Sequence, residues 1–203
     1  MTATLAGIFL AVFAGAALQR ISGMGLGLIA APALSVLLGP VSGVVLVNVL
    51  ATINAIFNTY GMRDNVDWKR FTPIAATLIV GAVPGAIVVR AIDTNVLLII
   101  VGVLLLIALG TVTLGKRYVP NIEGTLPAAI SGAIGGFMNT LAGVAGPAFT
   151  VYAHAARWPK EIYAATLQPL FLVAGALSFV MKELTGAAHL SSVTPQILSL
   201  IHI

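Results

Sequence analysis

Four runs of residues, 41–60, 72–91, 95–114 and 161–182, contain almost nothing that water would solvate. Each is close to the ~20 residues with which an α-helix crosses a bilayer. The runs are continuous and do not alternate polar with apolar positions, so helices are expected and barrel strands are not. Composition closes off a soluble fold. Of all residues, 59% are hydrophobic and 8% charged, against about one-quarter charged in an ordinary soluble domain. Ten Lys/Arg and six Asp/Glu cannot build a water-facing shell, which excludes a soluble enzyme. The expected fold class is an all-α integral membrane protein, a multi-span helical bundle in contact with the lipid bilayer.

The net charge of +4 does not point to nucleic acid. The basic residues stand singly between apolar runs and form no patch or stripe, so they read as topology signals. The absence of cysteine excludes disulfides, thiolate metal sites and a cysteine nucleophile. His154, His189 and His202 are too dispersed for metal spacing, no HExxH pattern is present, and no cofactor motif survives inspection. Gly23-Met24-Gly25-Leu26-Gly27 has the look of a dinucleotide loop, but no strand precedes it and no acidic residue lies at the required distance of about twenty residues. Tyr60, Trp68, Tyr118, Trp158 and Tyr163 stand at segment ends, as an interfacial aromatic belt does. Residues 1–17 have the small-residue stretch of a secretory signal at Ala14-Gly15-Ala16 but lack its basic start.

The remaining apolar regions are different in kind. Residues 4–18 and 24–38 are each too short to cross at full depth, and Gln19, Arg20, Ile21, Ser22 and Gly23 separate them. At 125–155, Gly132, Gly135, Gly136, Asn139, Thr140, Gly143, Gly146 and Pro147 crowd a single apolar region. Both regions read as helices broken inside the membrane. Setting Pro32 over Pro147 superposes 26–36 on 141–151, both rich in Gly and Ala. Each copy is followed by a loop proline, Pro40 or Pro159, and then by a spanning helix that carries an amide, Asn48 or Gln168. The expected organisation is two internal repeats, each starting with a Gly/Pro-broken helix. The first covers 1–115 and the second 125–203, incomplete at its C-terminus, with a polar connecting loop at 116–124. Interrupted segments at matching positions in two halves mark a transporter site. Any single glycine is better read as close helix packing.

A helix broken in lipid frees N–H and C=O groups that only protein or a watery cavity can satisfy. A half-helix starting near Ser22 or Asn139 would direct free N–H groups and a positive dipole end into such a cavity, which suits a small anion. Ser22, Asn139 and Thr140 fit that chemistry. Arg20 fits it too, or else snorkels to an interface as an anchor. Amides in hydrocarbon need partners, so Asn48, Asn54 and Gln168 are expected to line the cavity between the breaks.

These stretches resemble the sulfite exporter (TauE/SafE) family of membrane transporters. The resemblance rests on ISGMGLGLIAAPAL at 21–34, NVDW at 65–68 and VGAVPGAIVVRAID at 80–93, with GGFMNTLAGVAGPAF at 135–149 as a second copy of the first motif. It implies a two-repeat exporter of small anions such as sulfite, sulfonates or related organic anions, in the bacterial inner membrane. By position it makes Gly23, Gly25, Gly27 and Pro32 the first-half signature and Gly143, Gly146 and Pro147 the second. The counterpart of 72–114 is expected after residue 190, yet the sequence stops at Ile203. The missing wall is then either truncated or supplied by another subunit, as in a homo-oligomer.

If 125–155 enters and leaves on one side, Arg63, Lys69, Arg70, Lys116, Arg117, Arg157 and Lys160 gather there, opposite Arg90 and Lys182. The positive-inside rule favours that arrangement, and it makes the repeats inverted. All six acidic residues, Asp64, Asp67, Asp93, Glu123, Glu161 and Glu183, fall in loops or at span ends, leaving His154 as the one candidate proton relay. Transport down the electrochemical gradient is therefore expected, with an inside-negative potential favouring anion export by ~2.3 kcal/mol per charge for each 100 mV. The alternative to a transporter is a non-transporting structural or assembly membrane protein, or a transporter fragment. No grouped nucleophile and base support an enzyme.

Overall fold

The structure is a computed structural model that describes residues 2–22, 26–114 and 121–188. Its regular elements are helices: α1 (Thr2–Ser22), α2 (Leu26–Leu38), α3 (Pro40–Met62), α4 (Trp68–Ala91), α5 (Thr94–Leu114), α6 (Thr125–Ala142), α7 (Gly146–Ala155) and α8 (Lys160–Thr185). A 3-10 turn, Arg63–Asn65, follows α3. Among the described residues, three helices are long and apolar enough to cross a membrane: α3 with its 3-10 turn, α4 and α8. The run expected at 95–114 forms the 21-residue α5, whose Thr94–Ile107 stretch counts among the shorter apolar helices.

Both interrupted regions are antiparallel hairpins. In the first, Leu26 of α2 lies against Gly15 of α1, and Leu37 against Gly7. The element expected to end at residue 18 continues through Gln19, Arg20 and Ile21 to Ser22, because a buried amide that finds a partner gives a helix no reason to stop. In the second hairpin, Ser131 Oγ donates to the Ala148 carbonyl (3.0 Å), Tyr152 Oη to the Gly124 carbonyl (3.1 Å) and the Ile122 N–H to the Ala155 carbonyl (3.2 Å). The chain thus returns to the end from which α6 started. The turn is made at Gly143, whose left-handed backbone (φ 70°) places its N–H on the Asn139 carbonyl at 2.8 Å. Pro147 follows in the first turn of α7, where a missing N–H costs no helix bond.

The long helices fix how the hairpins enter. α3 and α8 are antiparallel: Asn48 bonds Ser178, while Gly175 sits against Thr52 and the Asn48 carbonyl. The α3–α4 link meets the start of α8 where the Asp67 N–H donates to Thr166 Oγ1 (3.0 Å), and Arg90 of α4 reaches the Thr185 carbonyl at the other end (3.0 Å). The α1–α2 hairpin therefore opens at the end where α3 begins, and the α6–α7 hairpin at the opposite end, where α8 begins. Their bends point at each other.

The most extensive helix pairing is α4 with α6. They run parallel with backbones almost touching: a methyl on Gly132 would strike the Ile74 carbonyl, and one on Gly136 the Leu78 carbonyl. Gly81 and Gly85 return the arrangement against Ala133, Phe137 and Thr140, and Thr77 Oγ1 bonds the Ala129 carbonyl across the seam at 2.8 Å. Gly132, Gly135 and Gly136 thus lie in a continuous helix. Each costs about 1 kcal/mol relative to alanine in helix propensity, offset by the close approach it permits. One apolar core (Leu26, Ala31, Leu46, Leu97, Leu141, Val144) surrounds the bends, and a second (Ile74, Leu78, Phe149, Leu167, Leu170) joins α4 to α6, α7 and α8. Outside these cores Phe9, Phe13, Val36, Phe57, Val80, Ile99 and Leu106 are exposed, an apolar exterior of the kind lipid covers.

Replacing Gly136 with alanine should therefore lower the thermal stability of the detergent-solubilised protein, in line with the 1–3 kcal/mol or so that overpacking costs. Gly102→Ala, where a methyl would meet nothing within 4 Å, should keep or slightly raise it through alanine's better helix propensity. Equal melting temperatures for the two variants would contradict the seam.

Candidate binding site at the meeting of the broken helices

The start of α2 touches the turn between α6 and α7. A methyl on Gly27 would lie 2.6 Å from the Gly143 carbonyl oxygen, so glycine is required for the contact. Beside it lies a cavity of about 30 Å³, lined by Gln19, Gly27, Asn48, Asn139 and the Gly143-to-Pro147 turn, with Leu28, Ala51 and Phe171 as its apolar wall. That exceeds the ~10–15 Å³ needed to hold a water molecule.

The first residues of α2 and α7 both form part of this wall, so two positive helix ends face one space. The α7 start has no side-chain cap. At the α2 start, Gln19 Oε1 accepts the Leu26 N–H at 3.3 Å. The expectation that a half-helix starts near Asn139 is corrected by these bounds: Asn139 lies in the last turn of α6, and α7 starts at Gly146. Ser22 lies at the described end of α1, with residues 23–25 outside the described ones. The Asn139 backbone cannot supply the free N–H groups because it lies inside the α6 bond ladder; its side chain faces the cavity instead.

Four buried amides organise the wall. Asn139 Nδ2 donates to Asn48 Oδ1 (2.9 Å) and to the Ala174 carbonyl (3.0 Å), and Asn48 Nδ2 donates to Ser178 Oγ (2.7 Å). Gln19 Nε2 lies 3.5 Å from Gln168 Oε1, and Gln168 Nε2 bonds the Ala164 carbonyl (3.1 Å). All four residues are at most 6% exposed. Each pair links a hairpin to a long helix of the other half, Gln19 of α1 to α8 and Asn139 of α6 to α3.

The remaining sequence-derived candidates are distributed unevenly. Gly27, Asn48, Asn139, Gly143, Gly146 and Pro147 come together at the cavity, while Gln168 stands one bond behind it through Gln19. Asn54 does not join them; it accepts from Asn58 Nδ2 at 3.2 Å. Six residues of helix turn it about 120° away from Asn48. Thr140 is buried against Gly85, its hydroxyl on the Gly136 carbonyl (2.9 Å). Pro32 lies well inside α2, unlike Pro147 at the start of α7, so the two prolines are not structural equivalents. Gly23, Gly25, Lys116, Arg117, Tyr118, His189 and His202 lie outside the described residues. His154 stacks on Tyr163 (centroids 6.1 Å), away from the cavity wall. Arg70 lies over the Trp158 ring at 5.3 Å, which joins the basic residues and aromatics of one end.

Sequence reasoning missed three participants. Gln19 was visible as a polar interruption between apolar runs but was read as part of the break. Ser178 carries no signal of its own. Lys182, read as an end-of-span charge, is buried at 1% exposure with its Nζ unpartnered.

Opposed interrupted helices that meet at a small amide-bearing cavity beside long apolar helices are the construction of a membrane transporter. The family model for the sulfite exporter TauE/SafE matches residues 8–202, nearly the whole chain, and the protein belongs to that family. No curated protein and no solved structure gives a significant match.

Asn139→Ala strips the donor from Asn48 Oδ1, and a buried group left unpaired costs roughly 1–3 kcal/mol. Denaturant titration of the solubilised protein should show that loss, and an unchanged midpoint would mean the amide pair is not formed.

Proposed function

We propose that the protein exports small anions, sulfite and sulfonates or related organic anions among them, and that the cavity between the bends is its binding site. The observation that carries this reading is the convergence of two short-helix N-termini on one buried, amide-lined space. Amide N–H groups and dipole ends compensate negative charge without a fixed cation, which favours weak, reversible binding of an anion. No described residue of the cavity wall is ionisable. This supports movement of the anion down its electrochemical gradient.

The helix bounds support two inverted repeats in a register different from the proline superposition. Ser22 and Ala142 end the first helix of each hairpin, Leu26 and Gly146 start the second, and Pro40 and Lys160 start the long helices, every pair 120 residues apart. The same offset pairs Gln19 with Asn139 and Asn48 with Gln168, so the two amide bonds become symmetry mates. The antiparallel course of α3 and α8 agrees with inverted copies. On this reading the repeats occupy 1–115 and 125–203, and the end that carries Arg63, Lys69, Arg70, Arg157 and Lys160 faces the cytoplasm of a bacterial cell.

Purified protein reconstituted into vesicles should release radiolabelled sulfite or methanesulfonate, faster under a potential that is negative on the loaded side. Asn48→Ala should slow release about tenfold or more, since a hydrogen bond to a charged group is worth roughly 1.5–3 kcal/mol. Release from loaded vesicles no faster than from protein-free ones, for every anion offered, would end the proposal. So would a driving force that comes from a pH difference alone.

A further inference from the structure

Among the described residues, Lys182 is the charged side chain that the fold buries completely. It is 1% exposed, its Nζ has no hydrogen-bond partner, and neither of the ion pairs, Arg63–Asp64 and Arg70–Asp67, includes it. An uncompensated ammonium in an apolar setting is costly, and inside membrane proteins such a group is by default functional. The ordinary structural role for a lysine in the last turn of a helix is to satisfy terminal carbonyls. Here that work is done by others. The Lys182 carbonyl accepts from the Ala187 and Ala188 N–H groups, Glu183 from Gly186, and Thr185 from Arg90 Nη1.

Its level in the bundle gives the lysine a place on a route. Ser178 faces Asn48 across the antiparallel α3–α8 seam. Four residues further along α8 is one turn, about 6 Å, toward the end where α3 begins. Lys182 therefore stands between the amide cavity and that end. Ser35, beside Gly43 in the first turn of α3, has a buried hydroxyl that likewise lacks a partner. Under the 120-residue offset the counterpart of Lys182 is Met62, so the cation exists on one side of the cavity alone.

We infer that Lys182 is a second anion-binding station, which receives the small anion as it leaves the amide cavity toward the end of the bundle where α3 begins. The inference rests on the transporter reading above. The amides hold the anion weakly through dipoles, and the ammonium one turn further draws it off by charge.

Three measurements decide it. In vesicles, Lys182→Met should slow sulfite release about tenfold or more, the loss expected when a charged hydrogen-bond partner is removed, whereas Lys182→Arg should stay within about threefold of wild type. Sulfite-induced thermal stabilisation of the solubilised protein should be reduced in Lys182→Met as well as in Asn48→Ala, because each removes one of two stations, and full stabilisation in Lys182→Met would count against the station. Lys182→Cys, the sole cysteine in the chain, should react with a water-soluble anionic methanethiosulfonate. Release by Lys182→Met at the wild-type rate, or equal slowing in Lys182→Met and Lys182→Arg, would overturn the station. A wild-type protein that moves no anion would instead remove the transporter reading, and an unlabelled Lys182→Cys protein would remove the station whatever the wild type does.

Discussion

A helix interrupted away from water must hand its freed backbone groups to protein or to a watery cavity, and in this structure the start of α2 and the turn after α6 meet where Gly27 packs against the Gly143 carbonyl. The Gly143 N–H is already returned to the Asn139 carbonyl within its own hairpin. Everything around them serves the meeting: the apolar core that surrounds the bends, the amides that seal the sides, and the small residues that leave room. The same constraint creates the cavity. One amide, Gln19, caps the α2 start and no side chain caps the α7 start, so backbone donors are left facing the space between them.

The neighbouring seams differ in kind, and the difference assigns mechanical roles. The α4–α6 seam is backbone on backbone, with Gly81, Gly132 and Gly136 leaving no slack, so α6 cannot slide on α4 without collision. The links from the hairpins to the long helices are side-chain hydrogen bonds, Asn139 to Asn48 and Gln19 to Gln168. Such bonds are worth about 0.5–1.5 kcal/mol net and can be exchanged for water or ligand contacts. Rigidity and adaptability thus lie on opposite sides of the same hairpin.

Much of this was legible in the sequence because lipid simplifies the rules. Apolar runs placed α3, α4, α5 and α8 to within a few residues, and the Gly/Pro-rich interruptions marked both hairpins. What failed was local. Superposing Pro32 on Pro147 gives a register different from that of the helix starts, because proline sits equally well in a first turn or, with neighbours to absorb it, in a helix interior. Gly132, Gly135 and Gly136 looked like a break because glycine allows both a bend and a close approach, and only the partner helix decides which. The pairing of Gln19 with Gln168 and of Asn139 with Asn48 was out of reach, since it depends on how two hairpins oppose each other in space. Lys182 was misread for the same reason: a lysine three residues from a helix end is ordinarily solvated, and its burial comes from the neighbours that surround it.

The seams also limit how such a bundle can change shape. Any motion that opens the cavity toward one end must part a hairpin from a long helix, because the α4–α6 contact will not yield. The α6–α7 hairpin and α4 then travel as one body, and the bond that breaks on that side is Asn139 to Asn48, with Asn139 to the Ala174 carbonyl beside it. The other end opens by parting Gln19 from Gln168, whose 3.5 Å separation makes it the weaker link. On the proposed transport reading, an anion in the cavity would offer acceptors to whichever amides have lost theirs, and so would replace the bonds that its own passage breaks.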